Sequence, residues 1–223
     1  MKRIAFTLAE VLITLAIIGV VAAITIPIIV ENYRLKQQET GLKKSYSAIA
    51  QALDMYFAEN GERITSDVGR HELKSKLMQY MNNIQDCGYG TSDAETACVT
   101  SSNNWNYMNF TGKKTAGFGK FDDGQFILSD GTNIFIENTS NSSSVFISVD
   151  VNGFYKNPNR LGHDFFMFQI DEDGSLLPMG KEGTDYYSEA DEYCSETSTN
   201  SINGAGCTYK ALTDKDYFKN LPE

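Results

Sequence analysis

FTLAEVLITLAIIGVVAAITIPIIV, Phe6 to Val30, decides how this chain reads. The stretch comes after a five-residue basic leader, MKRIA, and its 25 residues carry one charge, Glu10. At about 1.5 Å per residue a helix of that length spans roughly 37 Å, more than a hydrocarbon core of about 30 Å. The remainder of the chain is polar and acidic. From Gly61 onward 24 acidic residues stand against 13 basic ones, and the whole chain of 223 residues has a net charge of −10. The expected plan is a membrane-inserted stem and one exported head large enough for a core. An acidic head is a poor nucleic-acid partner, because phosphate binding needs a basic footprint.

Three readings of the N-terminal segment compete. As a secretory signal, Lys2 and Arg3 are the basic region, Val11 to Val20 the apolar core, and Val21-Ala22-Ala23 the cleavage site. The apolar run nevertheless continues through Ile24, Ile26, Ile28, Ile29 and Val30, which a cleaved signal does not need. As a plain anchor, its orientation is ambiguous, since Lys2 and Arg3 precede it while Arg34, Lys36, Lys43 and Lys44 come after it. Neither reading explains Glu10, an acidic residue inside an apolar helix.

A third reading does. Ala5-Phe-Thr-Leu-Ala-Glu-Val-Leu-Ile13 resembles the processing signature of type IV pilins and type II secretion pseudopilins. The resemblance covers the leader and stem. It implies cleavage between Ala5 and Phe6 by a prepilin peptidase, methylation of the Phe6 amine, and Glu10 as the fifth mature residue. Two departures stand out: Ala5 where the family usually has Gly, and Ala9 where it usually has a larger apolar residue. The resemblance also implies a filament of self or homologous subunits, with Glu10 pairing the Phe6 amine of a neighbour and so setting the register. A carboxylate buried between stems needs such a partner or a proton. An inner-membrane assembly platform and an exported head complete the implied setting.

Pro27 lacks an N–H and is expected to kink or open the stem helix. Beyond it, Leu35, Leu42, Tyr46, Ile49, Leu53, Tyr56 and Phe57 recur at helical spacing as far as the Asn60-Gly61 stop, with Gly41 the weak point. Asp67 to Ile84 reads as a second helix, and Cys87 to about Gly119 as a loop. Gln125 to Ser129 and Thr132 to Ile136 read as a hairpin with a primed turn at Asp130-Gly131. Further strands are expected at Ser144 to Asp150, Asp164 to Ile170 and the short run Ser175 to Leu177. The expected fold is α+β: a long N-terminal helix, transmembrane in its first half and amphipathic in its second, packed on an antiparallel head of four or so strands, pilin-like. The expected segments are leader 1–5, stem 6–30, amphipathic continuation 31–60 and exported head 61–223.

Cys87/Cys98 and Cys194/Cys207 are close pairs without zinc-knuckle spacing, so in an exported chain sequential disulfides are expected among the three connectivities open to four cysteines. The segment Lys181 to Asn203 resembles the Cys-bounded C-terminal loop of many type IV pilins. No motif of hydrolases, kinases, nucleotide loops or zinc peptidases occurs, and His71 and His163 are far apart, so no enzyme is expected. Two acidic turns are weak calcium candidates: Asp150, Asn152 and Asp164, and separately Asp171 and Asp173. Neither fits the twelve-residue calcium loop, and Asp-Gly and Asn-Gly are ordinary turn dipeptides. Some major pseudopilins bind calcium in their heads, which the resemblance adds at the level of fold. The alternative function is a secreted or membrane-tethered binding module that uses its N-terminus only as signal or anchor.

Overall fold

From Leu8 onward the sequence offers a helix few obstacles, and α1 runs Leu8–Asn60 with Pro27 inside it. The structure is a computed structural model that describes residues 7–69, 71–90, 97–100, 105–138 and 144–222. The helical assignment continues across Pro27, whose missing N–H leaves the Ala23 carbonyl without its usual donor. Thr14 and Thr25 return their hydroxyls to the carbonyls of Val11 and Val21, at 2.9 and 3.0 Å, so neither offers a bare donor to an apolar setting. The chain divides into two compact units, one ending at Gln37 and one starting at Gln38.

In the second unit α1 buries Gln38, Leu42, Ser45, Ile49, Ala52, Leu53 and Tyr56. Those positions recur at helical spacing, as one face requires. Phe57, expected on that face, is instead exposed, with the Arg63 guanidinium 4.6 Å over its ring. Gly41 sits where α1 passes Val151; a Cβ there would lie 2.9 Å from the Val151 Cβ. The weak point of the helix is thus the place where it closely approaches the end of the sheet.

The sheet has six strands in the order β1-β2-β3-β4-β5-β6, all antiparallel neighbours. They are β1 Asn83–Asp86, β2 Gly124–Leu128, β3 Asn133–Asn138, β4 Val145–Asp150, β5 Phe165–Ile170 and β6 Leu176–Pro178. The second helix, α2, is shorter than expected, Glu72–Tyr80, and Ile84 belongs to β1 with its side chain exposed. The β2–β3 connection also differs from expectation. Gly131 N–H donates to Leu128 O, Leu128 N–H to Thr132 O, and only Gly131 takes a positive φ, +89°. That is a three-residue loop with a glycine bulge rather than a two-residue primed turn.

Both faces of the central strands are buried. One face meets the helix, where Tyr46 stacks on Phe168 with ring centroids 5.6 Å apart. The opposite face carries Phe135, Phe146, Phe165 and Met167, covered by a layer of loops that supplies Tyr107, Phe121, Phe154, Leu161, Met179 and Ala205. Trp105 closes this cluster, packing 4.8 Å from Tyr107 while its indole N–H donates to Ala116 O. The C-terminal part adds α3, Thr208–Thr213, and the buried Tyr217 and Phe218.

Candidate functional site

At the start of α1, three hydrogen bonds join Thr7 and Glu10. Thr7 N–H and the Thr7 hydroxyl both donate to Glu10 Oε2 at 2.8 Å, and Glu10 N–H donates to the Thr7 hydroxyl at 3.3 Å. This is a capping box, in which N-cap and third helical residue satisfy each other's amides. The Thr-x-x-Glu spacing is the sequence signal for it, and the isolated charge of Glu10 masks that second role. Ala5 and Phe6, the expected cleavage and methylation positions, lie outside the described residues.

Downstream, Leu8, Leu12, Ile13, Leu15, Ile17, Ile18 and every large apolar residue to Val30 are exposed. None of this apolar stretch is buried. Among the described residues this is one helix long and apolar enough to cross a membrane. Water does not tolerate a contiguous apolar surface of that kind, so lipid or other helices must cover it.

In the head, the four cysteines pair sequentially, Cys87–Cys98 and Cys194–Cys207. The loop bounded by the second pair is internally bonded. Buried Asn203 accepts from Ser195 N–H at 3.0 Å and donates to the carbonyls of Ser195 and Ser198 at 2.8 and 3.1 Å. The two histidines stay apart in role. His163 is buried 3.1 Å from the Phe110 carbonyl, and His71 stacks on Tyr89.

The two acidic turns behave differently. Asp150, at the end of β4, and Asp164, just before β5, are both fully buried. Asp150 Oδ2 accepts the Tyr107 hydroxyl at 2.6 Å, and its Oδ1 accepts Asn152 and Gly153 N–H at 3.2 and 2.9 Å. Asp164 accepts Arg160 and Asn159 N–H, one on each oxygen, at 2.8 and 2.9 Å. Every oxygen of the pair already has a donor, so the pair pins the 151–163 loop to the sheet. Burial, and then the charge of Asp164, push the Asp150 carboxyl well above its ordinary range; burial does the same for Asp164. Asp171 and Asp173 sit in a separate turn, where they accept Glu172 and Ser175 N–H, both at 2.8 Å.

A third acidic group leaves little trace in the sequence. Asp122 and Asp123 precede β2, and Glu137 lies on β3; one carboxylate oxygen from each falls within 4.8 Å of the others. The sequence signal is weak, a bare Asp-Asp-Gly and a Glu 14 residues further on, joined only by the hairpin register.

Comparison with known proteins addresses the N-terminus. No curated protein and no solved structure matches the chain. The pilin-like α+β layout and the exposed apolar helix fit a structural, membrane-anchored protein. A family model described as the prokaryotic N-terminal methylation motif matches residues 1–26, so the chain carries the prepilin-type signature of type IV pilins and pseudopilins.

Proposed function

We propose that this protein is a structural subunit of a type IV pilus-like or type II secretion pseudopilus filament. On this reading a prepilin peptidase cuts between Ala5 and Phe6 and the Phe6 amine is methylated. The subunit waits in the cytoplasmic membrane with its head exported, then enters the filament through α1. The observation that carries this is the union of the methylation motif with an uninterrupted exposed apolar helix bearing one carboxylate near its start. Any stem can use that carboxylate as a helix cap, but only helices packed side by side have a use for its charge, to fix their stagger. Two disulfides in the head fit an oxidising, exported location.

The test is the N-terminal sequence and intact mass of the mature protein from native membranes. A chain starting at Phe6 and heavier by one methyl group is expected. A chain starting at Ile24 would make it a secreted protein and end the filament reading.

A further inference from the structure

We propose that Asp122, Asp123 and Glu137 form a binding site for one oxygen-preferring divalent cation, with calcium favoured because it tolerates irregular oxygen geometry. The proposal is independent of the filament reading. Asp123 and Glu137 are brought together by the β2–β3 pairing. The ladder ends with Gly124 facing Ile136, and Asp123, one residue before it, comes close to Glu137, one residue after Ile136. Asp123 N–H donates to Ile136 O at 2.9 Å and Asn138 N–H donates to Asp123 Oδ2 at 3.0 Å, which anchors Asp123 beside the end of β3. Like charges this close repel, and here both are buried, Asp123 with 1% and Glu137 with 2% of its surface exposed.

The second observation concerns Glu137 alone. Neither of its carboxylate oxygens has a hydrogen-bond partner, although both are buried. This differs from the Asp150–Asp164 pair, whose oxygens are all supplied with donors. A buried carboxylate with no donor must take a proton or face a cation. The first route is partly in place: Asp122 lies near enough to share a proton with Glu137, and burial and the charge of Asp123 raise the Glu137 carboxyl. His71 Nε2 is 3.8 Å from Asp123, and Lys120 is the nearby cation that opposes the rise of Glu137. A divalent ion bound to all three carboxylates would offset two negative charges at once and supply the partner that the Glu137 oxygens lack.

The ligand set is oxygen only, which selects a hard cation. Calcium takes six to eight such ligands at about 2.4 Å in flexible geometry, whereas magnesium demands a near-ideal octahedron at about 2.1 Å. The three oxygens, all within 4.8 Å of one another, lie within the span that ligands of one such ion cover, and a small contraction would bring all three to bonding distance. Asp122 is only half-buried, which leaves an open side for water ligands.

The experiment uses the full-length chain in detergent micelles, stripped with EDTA and titrated calorimetrically with calcium chloride, with magnesium chloride as comparison. Thermal unfolding is followed with and without calcium. The expected result is one saturable equivalent of calcium and a melting temperature that climbs with its concentration. Asp122→Asn is expected to weaken binding by about tenfold or more. Glu137→Gln is expected to abolish binding, while its calcium-free melting temperature is no lower than that of the natural chain, because the repulsion is gone. Asp122→Asn, at a half-exposed position, keeps the test intact if Glu137→Gln fails to fold. No saturable binding up to a few millimolar calcium, beyond the range that weak extracellular calcium modules cover, would overturn the proposal. So would binding that survives Asp122→Asn unchanged, or that is lost in Asp150→Asn but kept in Asp122→Asn.

Discussion

Glu10 holds two roles at one position, and substitution can separate them. As the third residue of a capping box it accepts both Thr7 donors and so completes the first turn of α1. As the one charge between Phe6 and Val30 it is the group that neighbouring stems could pair. Glu10→Gln keeps an amide oxygen for the cap and removes the charge. Thr7→Ala removes the cap, at a cost of about 1 kcal/mol in helix stability, and keeps the charge. Circular dichroism in micelles together with the sheared-filament fraction from native cells reads both roles. Glu10→Gln is expected to retain helix content yet lose filaments, and Thr7→Ala to fray the first turn yet still assemble. Wild-type filament yield from Glu10→Gln would reduce Glu10 to a cap.

At the scale of elements, Gly41 decides between local propensity and packing. An alanine in mid-helix is worth up to about 1 kcal/mol over glycine by propensity. The close pass of Val151 opposes this, since a Cβ at 2.9 Å forces α1 and the end of β4 apart, and overpacking costs about 1–3 kcal/mol. Gly41→Ala is therefore expected to lower the melting temperature of the head; a rise would mean that α1 has room to shift. Helical periodicity marks the same glycine as a flaw, because it describes one element and says nothing of what approaches it. The same limit explains other differences. Val145–Asp150 and Phe165–Ile170 announce themselves by dense β-branched and aromatic residues. β1 does not, for Asn83-Ile-Gln-Asp86 is an edge strand whose single apolar side chain is exposed, and polar edges of this kind deter further pairing. Gln38, Ser45 and Ala52 join the buried helix face unannounced because small and polar residues leave no hydrophobic pattern. The stem and disulfide pairs are legible because each depends on neighbours in sequence. The Asp122–Asp123–Glu137 group is not, because it exists only through a strand register.

For the whole molecule, the buried carboxylates set how stability depends on pH. Asp150, Asp164 and Glu137 all have their carboxyls raised by burial, with like charge adding to the rise at Asp150 and Glu137. A carboxyl raised in the folded state takes up a proton on folding. Its contribution is complete below the unfolded value of about 4 and is lost as pH climbs through the folded value. Asp86 and Asp130 are lowered by Lys74 and Lys44 against the cost of burial, so their contributions are present above about pH 4 and lost only below it. The two groups therefore act in separate windows. From about pH 5 upward the raised set governs, and the net charge of −10 adds self-repulsion of the same sign. In calcium-free buffer the head is expected to resist urea better at pH 5.5 than at pH 8, with a slope of up to about 1.4 kcal/mol per pH unit for each proton taken up. Asp150→Asn preserves an oxygen for the Asn152 and Gly153 amides and removes one of those protons. That variant is expected to show a shallower slope, with most of its gain at the alkaline end. Equal urea midpoints at pH 5.5 and pH 8 in the natural chain would mean that the loop layer opens enough to hydrate these carboxylates, and that the pin between Tyr107, Asp150 and the 151–163 loop is looser than its hydrogen bonds imply.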